Sequence, residues 1–195
     1  MTTSSEPRND ATPAVGRYPD ELEGDVVTGL NTVVHVRPIR PDDAERLAAF
    51  HQRLSPRSIY FRFFSPHPRL SPAEVERFTT VDYVDRLALV AEVEDELVGI
   101  GRYDRIGTSE AEIAFVVADA WQHHGIATML LELLAEAARA RGIDTFVAST
   151  LPDNHEMIHL LTHSGFEATL RFADGVVTAR LPIGHSRHCR HAGPQ

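Results

Sequence analysis

A chain of 195 residues, 43% hydrophobic and 24% charged, is long enough for one well-packed domain and is ordinary for a soluble globular protein. Its formal charge of −9, from 19 Lys and Arg against 28 Asp and Glu, argues against nucleic acid or an acidic membrane surface as partner. The single cysteine, Cys189, excludes an internal disulfide and suits a reducing compartment, and no apolar run approaches membrane-spanning length.

Residues 1–30 are rich in Thr, Ser, Pro, Gly and acids, show no sustained apolar period, and read as a flexible segment. They carry neither the basic start nor the apolar core of a secretory signal, so the expected location is cytoplasmic. One domain is expected over residues 31–183. VVHVRPI, from Val33, reads as its first strand. PDDAERLAAFHQRL reads as a helix with Asp42 or Asp43 near its start and Ala44, Leu47, Phe50 and Leu54 at helical spacing. SPRSIYFRFF and SPAEVERFTTV each open with Ser-Pro, a capping residue before one that tolerates the first turn, and read as short helices.

RLALVAEV and ELVGIGRY form a predicted hairpin around Glu94-Asp95-Glu96, and EAEIAFVV is the next strand. GIATMLLELLAEAARARG is a long run of helix formers with Gly142 placed to end it. DTFVAST reads as a strand, DNHEMIHLLTHSGF as a helix stopping near Gly165, and ATLRF and VVTARL as strands flanking Ala173-Asp174-Gly175. Residues 184–195 form a flexible, His-containing tail. Strands joined by short turns favour an antiparallel meander, whereas the strand-helix-strand unit demands a parallel crossover. The expected fold is therefore α/β with a mixed, mostly antiparallel sheet, and a cleft is expected where the crossover begins.

The residues that suggest chemistry gather at that point. Alternation puts Ile113, Phe115 and Val117 on one face of their strand and Glu112, Ala114 and Val116 on the other. Glu112 reads either as a carboxylate whose burial on a central strand suits it to accept a proton, or as a solvated or arginine-paired group. After it, Gln122, His123, His124, Gly125, Ile126, Ala127 and Thr128 lie between a strand and a long helix. Small residues and unpaired amides at a helix start suit a pyrophosphate, although a glycine there also serves a plain turn. The Lys-Ser/Thr ending of a nucleotide P-loop is missing, and the glycine spacing of the dinucleotide fingerprint fails.

EIAFVVADAWQHHGIATMLL, with this order of elements, resembles the GNAT superfamily of N-acetyltransferases, whose signature Gln/Arg-x-x-Gly-x-Gly/Ala is met by Gln122, Gly125 and Ala127. The resemblance covers residues 33 to 182. It implies acetyl-CoA as cosubstrate, with Phe115, Val116 and Val117 along the pantetheine arm and residues 122 to 128 on the pyrophosphate. A second family motif places Asn154 near the pantetheine and ends at Gly165-Phe166, with Met157 where relatives often carry alanine. Where relatives carry a tyrosine beside the leaving thiol, this chain has Leu161. VHVRPIRPDDAERLAAFHQRLSPRSIYFRFFSPHPRLSPAEVERF is more narrowly similar to the acetyltransferase domain of bacterial protein lysine acetyltransferases. That likeness implies a protein substrate with an accessible lysine, such as an acyl-CoA synthetase, with Glu112 as general base. The cyclic-nucleotide or synthetase-like modules fused in some relatives do not fit within this length.

Direct transfer is expected, since neither a Ser-His-Asp pattern nor a well-placed cysteine supports a covalent intermediate. Leu161 cannot donate a proton; Tyr83 and Tyr103 read as packing and His163 as an exposed helix face, with a substitute acid as the second reading of each. His155 and His159, four apart on a helix, lack an accompanying zinc signature, and the tail cluster His185, His188, Cys189 and His191 reads as unpacked, so no metal is expected. Trp121 reads as a loop anchor or cofactor rim, and Tyr60 to Phe64 either as core or as a wall of the acceptor pocket. Two other readings stay open, a small-molecule amine acetyltransferase and a non-catalytic acyl-CoA sensor. Both a monomer and a homodimer are compatible with the sequence.

Overall fold

Alternating β-branched and aliphatic residues build one sheet from β1 (Gly24–Val27), β2 (Val33–Pro38), β3 (Arg86–Val93), β4 (Glu96–Arg105), β5 (Glu110–Val117), β6 (Thr145–Thr150), β7 (Thr169–Ala173) and β8 (Val176–Pro182). The structure is a computed structural model that describes residues 16–184; the expected tail and its His and Cys cluster lie outside the described residues. The strand order is β1-β2-β3-β4-β5-β6-β8-β7, and every pairing is antiparallel except β5 with β6. The expected mixed α/β sheet is thus present. Two tight turns follow their residues: Glu94 and Asp95 join β3 to β4, and Asp174 and Gly175 join β7 to β8, all four with positive φ. That geometry matches the twist of a two-residue hairpin.

Among the described residues five α-helices, α1 (Ala44–Arg53), α2 (Pro56–Phe63), α3 (Pro72–Thr79), α4 (Ile126–Ala140) and α5 (His155–His163), accompany the sheet. Ser55 and Ser71 cap α2 and α3 by accepting hydrogen bonds from Ser58 and Glu74 amides, and each is followed by proline. Ile100, Arg102, Ala114 and Val116 face α1, α2 and α3, whereas their alternate neighbours face α4. Gly101 is needed for that second packing. A Cβ on it would lie 2.9 Å from the Phe115 ring and 3.1 Å from Leu134 of α4. Leu130, Leu131 and Leu134 of α4 are fully buried against the strands, which is what its run of apolar residues predicts.

One expectation is corrected. The domain was expected to begin at residue 31, yet β1 pairs with β2 from Gly24↔Val36 to Val27↔Val33, and Tyr18 lies under the Arg40 guanidinium, 4.4 Å from it. The segment has no apolar period because it is an edge strand, ordered by its partner rather than by its own composition. Asp43 stands at the start of α1, as expected, and its side chain makes no capping bond there. It is buried, and its oxygens accept from Arg37 Nη1 at 2.8 Å and Nη2 at 2.7 Å and from the Arg40 amide at 2.8 Å. The same Arg37 donates to Glu92 at 2.7 Å, and Arg46 meets Glu92 from outside. This ion-pair group ties β2, the turn before α1 and β3 together.

Replacing Arg37 by Met leaves buried Asp43 and Glu92 without their shared guanidinium and is expected to cost about 3–5 kcal/mol in urea unfolding at pH 7. Burial pushes the Asp43 carboxyl up, but the Arg37 and Arg40 hydrogen bonds and the Arg37 charge outweigh it and hold the group below its usual value. Its stabilisation is therefore full above the unfolded value of about 3.9 and is lost as pH falls through the lower folded value. The difference between wild type and Arg37→Met should narrow across that acid window.

Candidate active site

Parallel pairing of β5 with β6 runs only from Glu110↔Thr145 to Glu112↔Val147, although β5 continues to Val117 and β6 to Thr150. Beyond Glu112 the two strands part. Each is held by its other neighbour, β5 by β4 up to Val117 and β6 by β8 up to Thr150. The Ala118 amide donates to Val98 on the β4 side. Backbone groups alternate along a strand, so those of Phe115 and Val117 point the other way, into the gap. Val116 turns its backbone to β4 and offers only its side chain. The Phe115 side chain is buried in the core, so its part in the cleft is a main-chain one.

The gap opens into a cleft of about 610 Å³, within the range of small-molecule sites. At one end lies the start of α4. Its N-cap is Gly125, with φ of +78° and no capping side chain, so the first amides of the helix are left for a ligand. A Cβ on Gly125 would sit 3.4 Å from the Thr28 side chain, so the loop is pressed against the β1–β2 turn. Gln122 Nε2 donates to Val117 O at 3.2 Å and Ser58 Oγ at 3.1 Å, which fixes the loop to β5 and α2. Asp119 completes this anchorage by accepting from the Ser55 amide at 2.9 Å, Ser55 Oγ at 2.6 Å and Ser58 Oγ at 2.8 Å. Burial works to raise the Asp119 carboxyl, but those serine hydrogen bonds prevail and hold it below the ordinary range.

Glu112 stands where the strands part and lines the cleft, with its residue exposed rather than buried. The alternative in which it is desolvated is corrected, because the parting strands open that position to solvent. Opposite it, Phe61, Arg62 and Phe64 of the α2 region face the cleft, while Ile59 is buried in the core and Phe63 packs against it. The two readings of Tyr60 to Phe64 thus divide between alternate faces of one helix. Asn154 caps α5, its Oδ1 accepting from the Met157 amide at 3.1 Å, and both residues line the far wall.

Of the residues singled out from sequence, Glu112, Phe115, Val116, Val117, Gln122, His123, Gly125, Ile126, Ala127, Thr128, Asn154 and Met157 all line one cleft. His124 does not. Its Nδ1 lies 2.8 Å from Gln122 O and its ring packs 5.4 Å from Trp121, so it braces the loop from behind. Of the two readings of the tyrosines, packing holds and the substitute acid does not. Tyr83 and Tyr103 are buried outside the cleft, their hydroxyls donating to Ile39 O and Val84 O, and burial pushes the Tyr103 phenol up to about 12. His163 stacks on His159 at 4.1 Å, and it is His159 that reaches the cleft. Leu161 is fully buried. Sequence reasoning missed Leu30, Arg57, Ser58, Asp119 and Thr150 as lining residues. Nothing local marks Leu30, which lies in a polar stretch, but Ser58 and Asp119 were within motifs already in view.

Residues 54–166 match the Acetyltransferase (GNAT) family. The chain belongs to that family. It is an enzyme of the acetyl-CoA-dependent acyltransferase class, and the parted strands, free main-chain groups and uncapped helix start fit coenzyme A. It is 33% identical over 153 residues to an acetyltransferase of Pseudomonas aeruginosa, covering 74% of this chain and 82% of that one. It is 32% identical over 136 residues to Acetyltransferase Pat of Mycolicibacterium smegmatis, covering 67% of this chain but 40% of that longer protein. The crystal structure of the GNAT domain of S. lividans PAT superposes with a TM-score of 0.81 at 44% identity, covering 85% of this chain and 99% of that domain. Among the described residues no helix is long and apolar enough to cross a membrane, and no three His, Cys, Asp or Glu side chains gather to hold a metal.

Gly125→Ala tests the loop. A side chain at φ of +78° is expected to cost about 1–2 kcal/mol in thermal or urea unfolding. Gly107→Ala, at a glycine with ordinary φ and its nearest contact at 3.8 Å, should leave stability within about 0.5 kcal/mol.

Proposed function

We propose that the protein transfers an acetyl group from acetyl-CoA to the side-chain amine of a protein lysine, by direct attack, with Glu112 as general base. The observation that carries this reading is the position of Glu112. It is the last β5 residue paired with β6, and it faces the cleft at the point where main-chain groups become free for a thioester arm. The likeness of residues 54–166 to the family, and of the chain to Pat of M. smegmatis and the GNAT domain of S. lividans PAT, supports it.

A lysine ammonium, with an ordinary pKa of about 10.4, has no lone pair until it loses a proton. Glu112, solvated at the cleft floor, takes that proton directly or through one water. The amides of Phe115 and Val117 hold the arm, and the Val117 N–H orients the thioester carbonyl and stabilises charge on its oxygen. Acetyl-CoA supplies the activated acyl group. The uncapped start of α4, from Gly125 to Thr128, binds the pyrophosphate. Asn154 Nδ2, which makes no hydrogen bond among the described residues, is available to the pantetheine. With Leu161 buried, no side chain from that position protonates the sulfur. A thiol of ordinary pKa about 8.5 leaves as thiolate at modest cost, so transfer proceeds without a dedicated acid. An acyl-CoA synthetase is the proposed protein acceptor, and the cytoplasm the proposed location.

Label transfer from radioactive acetyl-CoA into a desalted bacterial lysate tests both halves of the reading. Wild type should label discrete protein bands, and Glu112→Gln should lower the rate by about 10²- to 10⁴-fold while the Kd for acetyl-CoA stays within about threefold. Equal labelling by both proteins would remove the base assignment. Label confined to small molecules would replace the protein acceptor with a metabolite amine, and binding without any transfer would leave a sensor.

A further inference from the structure

Beside the main cleft lies a second cavity of about 40 Å³. Arg62, Ala114 and Val116 line both spaces, so this annex shares a wall of α2 and β5 with the cleft. Its walls are mostly apolar, with Leu47, Phe50, Phe78 and Ile100 among them, and the polar side chains it holds are His51, Arg62 and Arg102. Two of these are satisfied. His51 Nε2 is hydrogen-bonded to His67 O at 2.6 Å, and Arg102 donates to Asp104 at 3.0 Å while lying over the Phe78 ring.

Arg62 is different. It is half-buried, its guanidinium lies 5.0 Å from the Phe63 ring centre, and among the described residues it has no hydrogen bond and no ion pair. Asp104 is already shared by Arg86 and Arg102, and Glu112 attracts Arg62 across the cleft without reaching ion-pair distance. Burial, aided by repulsion from Arg102 and opposed by Asp104 and Glu112, brings the guanidinium down to about 10, so it is still cationic at neutral pH. A cation among apolar walls without a counter-ion is costly, and a carboxylate is the partner whose two oxygens match its fork. At about 10–15 Å³ for each water-sized occupant, the annex holds roughly three non-hydrogen atoms, the number in a carboxylate group. The start of α4 lies elsewhere in the cleft, so the annex is placed for the acyl end of the thioester and not for the pyrophosphate.

We propose that Arg62 is a specificity-determining residue that binds the terminal carboxylate of a short dicarboxylic acyl group carried on coenzyme A, with its chain passing Ala114 and Val116 into the annex. This rests on the acyl-CoA reading above and widens it from acetyl to acidic acyl groups of three to five carbons. In the transfer, the acceptor nitrogen forms a bond to the thioester carbonyl carbon and that carbon's bond to sulfur breaks. Glu112 takes the amine proton, coenzyme A leaves as thiolate, and the terminal carboxylate is unchanged, so no further reactant is needed.

Calorimetric titration of the full chain with coenzyme A, butyryl-CoA and succinyl-CoA is the test. Wild type should bind succinyl-CoA at least tenfold more tightly than butyryl-CoA, which has the same acyl carbon count without the carboxylate. Arg62→Met should erase or invert that ratio while free coenzyme A binds as before, and Arg62→Lys should keep part of it. A wild-type ratio of one or below overturns the proposal without any variant. A succinyl preference that survives in Arg62→Met places the carboxylate elsewhere and overturns the Arg62 assignment. Failure of coenzyme A itself to bind overturns the acyl-CoA reading and this one with it, whereas coenzyme A binding without acyl preference overturns this one alone.

Discussion

The parting of β5 from β6 after Glu112 and Val147 is the constraint on which the site depends. A buried strand edge cannot keep its amides and carbonyls without partners, so a sheet that opens in its middle needs something else to meet them. The opening persists because each strand is paired along its other edge, to β4 on one side and β8 on the other. The molecule thus gives up several inter-strand hydrogen bonds at its centre and presents the Phe115 main chain and the Val117 amide to a ligand. A thioester arm with amides of its own is complementary to such an edge.

The same opening decides where everything else stands. The loop after β5 crosses the end of the gap and delivers the start of α4 to it. Asp119 and Gln122 lock that loop to the N-terminal turn of α2 through Ser55 and Ser58. Because α2 carries Phe61 and Arg62 on its cleft face, the loop that leads into α4 and the helix on another wall of the cleft are joined by hydrogen bonds. Asp119 is therefore a positioning residue, and its effect on chemistry runs through the geometry of its neighbours. The charge of the whole chain says little about this place. The formal net charge is −9, yet the cleft holds Arg57 and Arg62 near Glu112, Asp119 and Glu156.

Packing behind the sheet serves the same end. Gly101 lets Phe115 and Leu134 meet, which seats α4 closely on β4 and β5 and keeps the helix start at the gap. On the opposite face the Arg37, Asp43 and Glu92 group fixes the turn that leads into α1, and with it the layer on which α2 rests. A charged cluster of this kind is weak evidence for net stability, but breaking it strands carboxylates in the interior.

Local sequence determined much of this. Ser-Pro starts, the Asp174-Gly175 turn, Gly142 after a long helix and period-two strands specify elements through interactions a few residues apart, and they form where expected. Gln122, Gly125 and Ala127 of the signature and Asn154 of the second motif come to one cleft for the same reason, since a helix start and its loop are local objects. Residues whose role depends on distant partners were not legible. Asp43 reads as a residue near a helix start and is an ion-pair partner, His124 reads as a ligand contact and braces a loop, and Tyr103 reads as packing or a substitute acid and is sealed in the core. The pairing of β1, Gly24–Val27, was hidden because an edge strand needs no apolar period of its own. The exposure of Glu112, and the lack of an ion pair for Arg62 among the described residues, were decided only when β6 diverged and α2 packed across the gap. Solvation and charge pairing are properties of neighbours brought together by the fold, and chain order alone does not contain them.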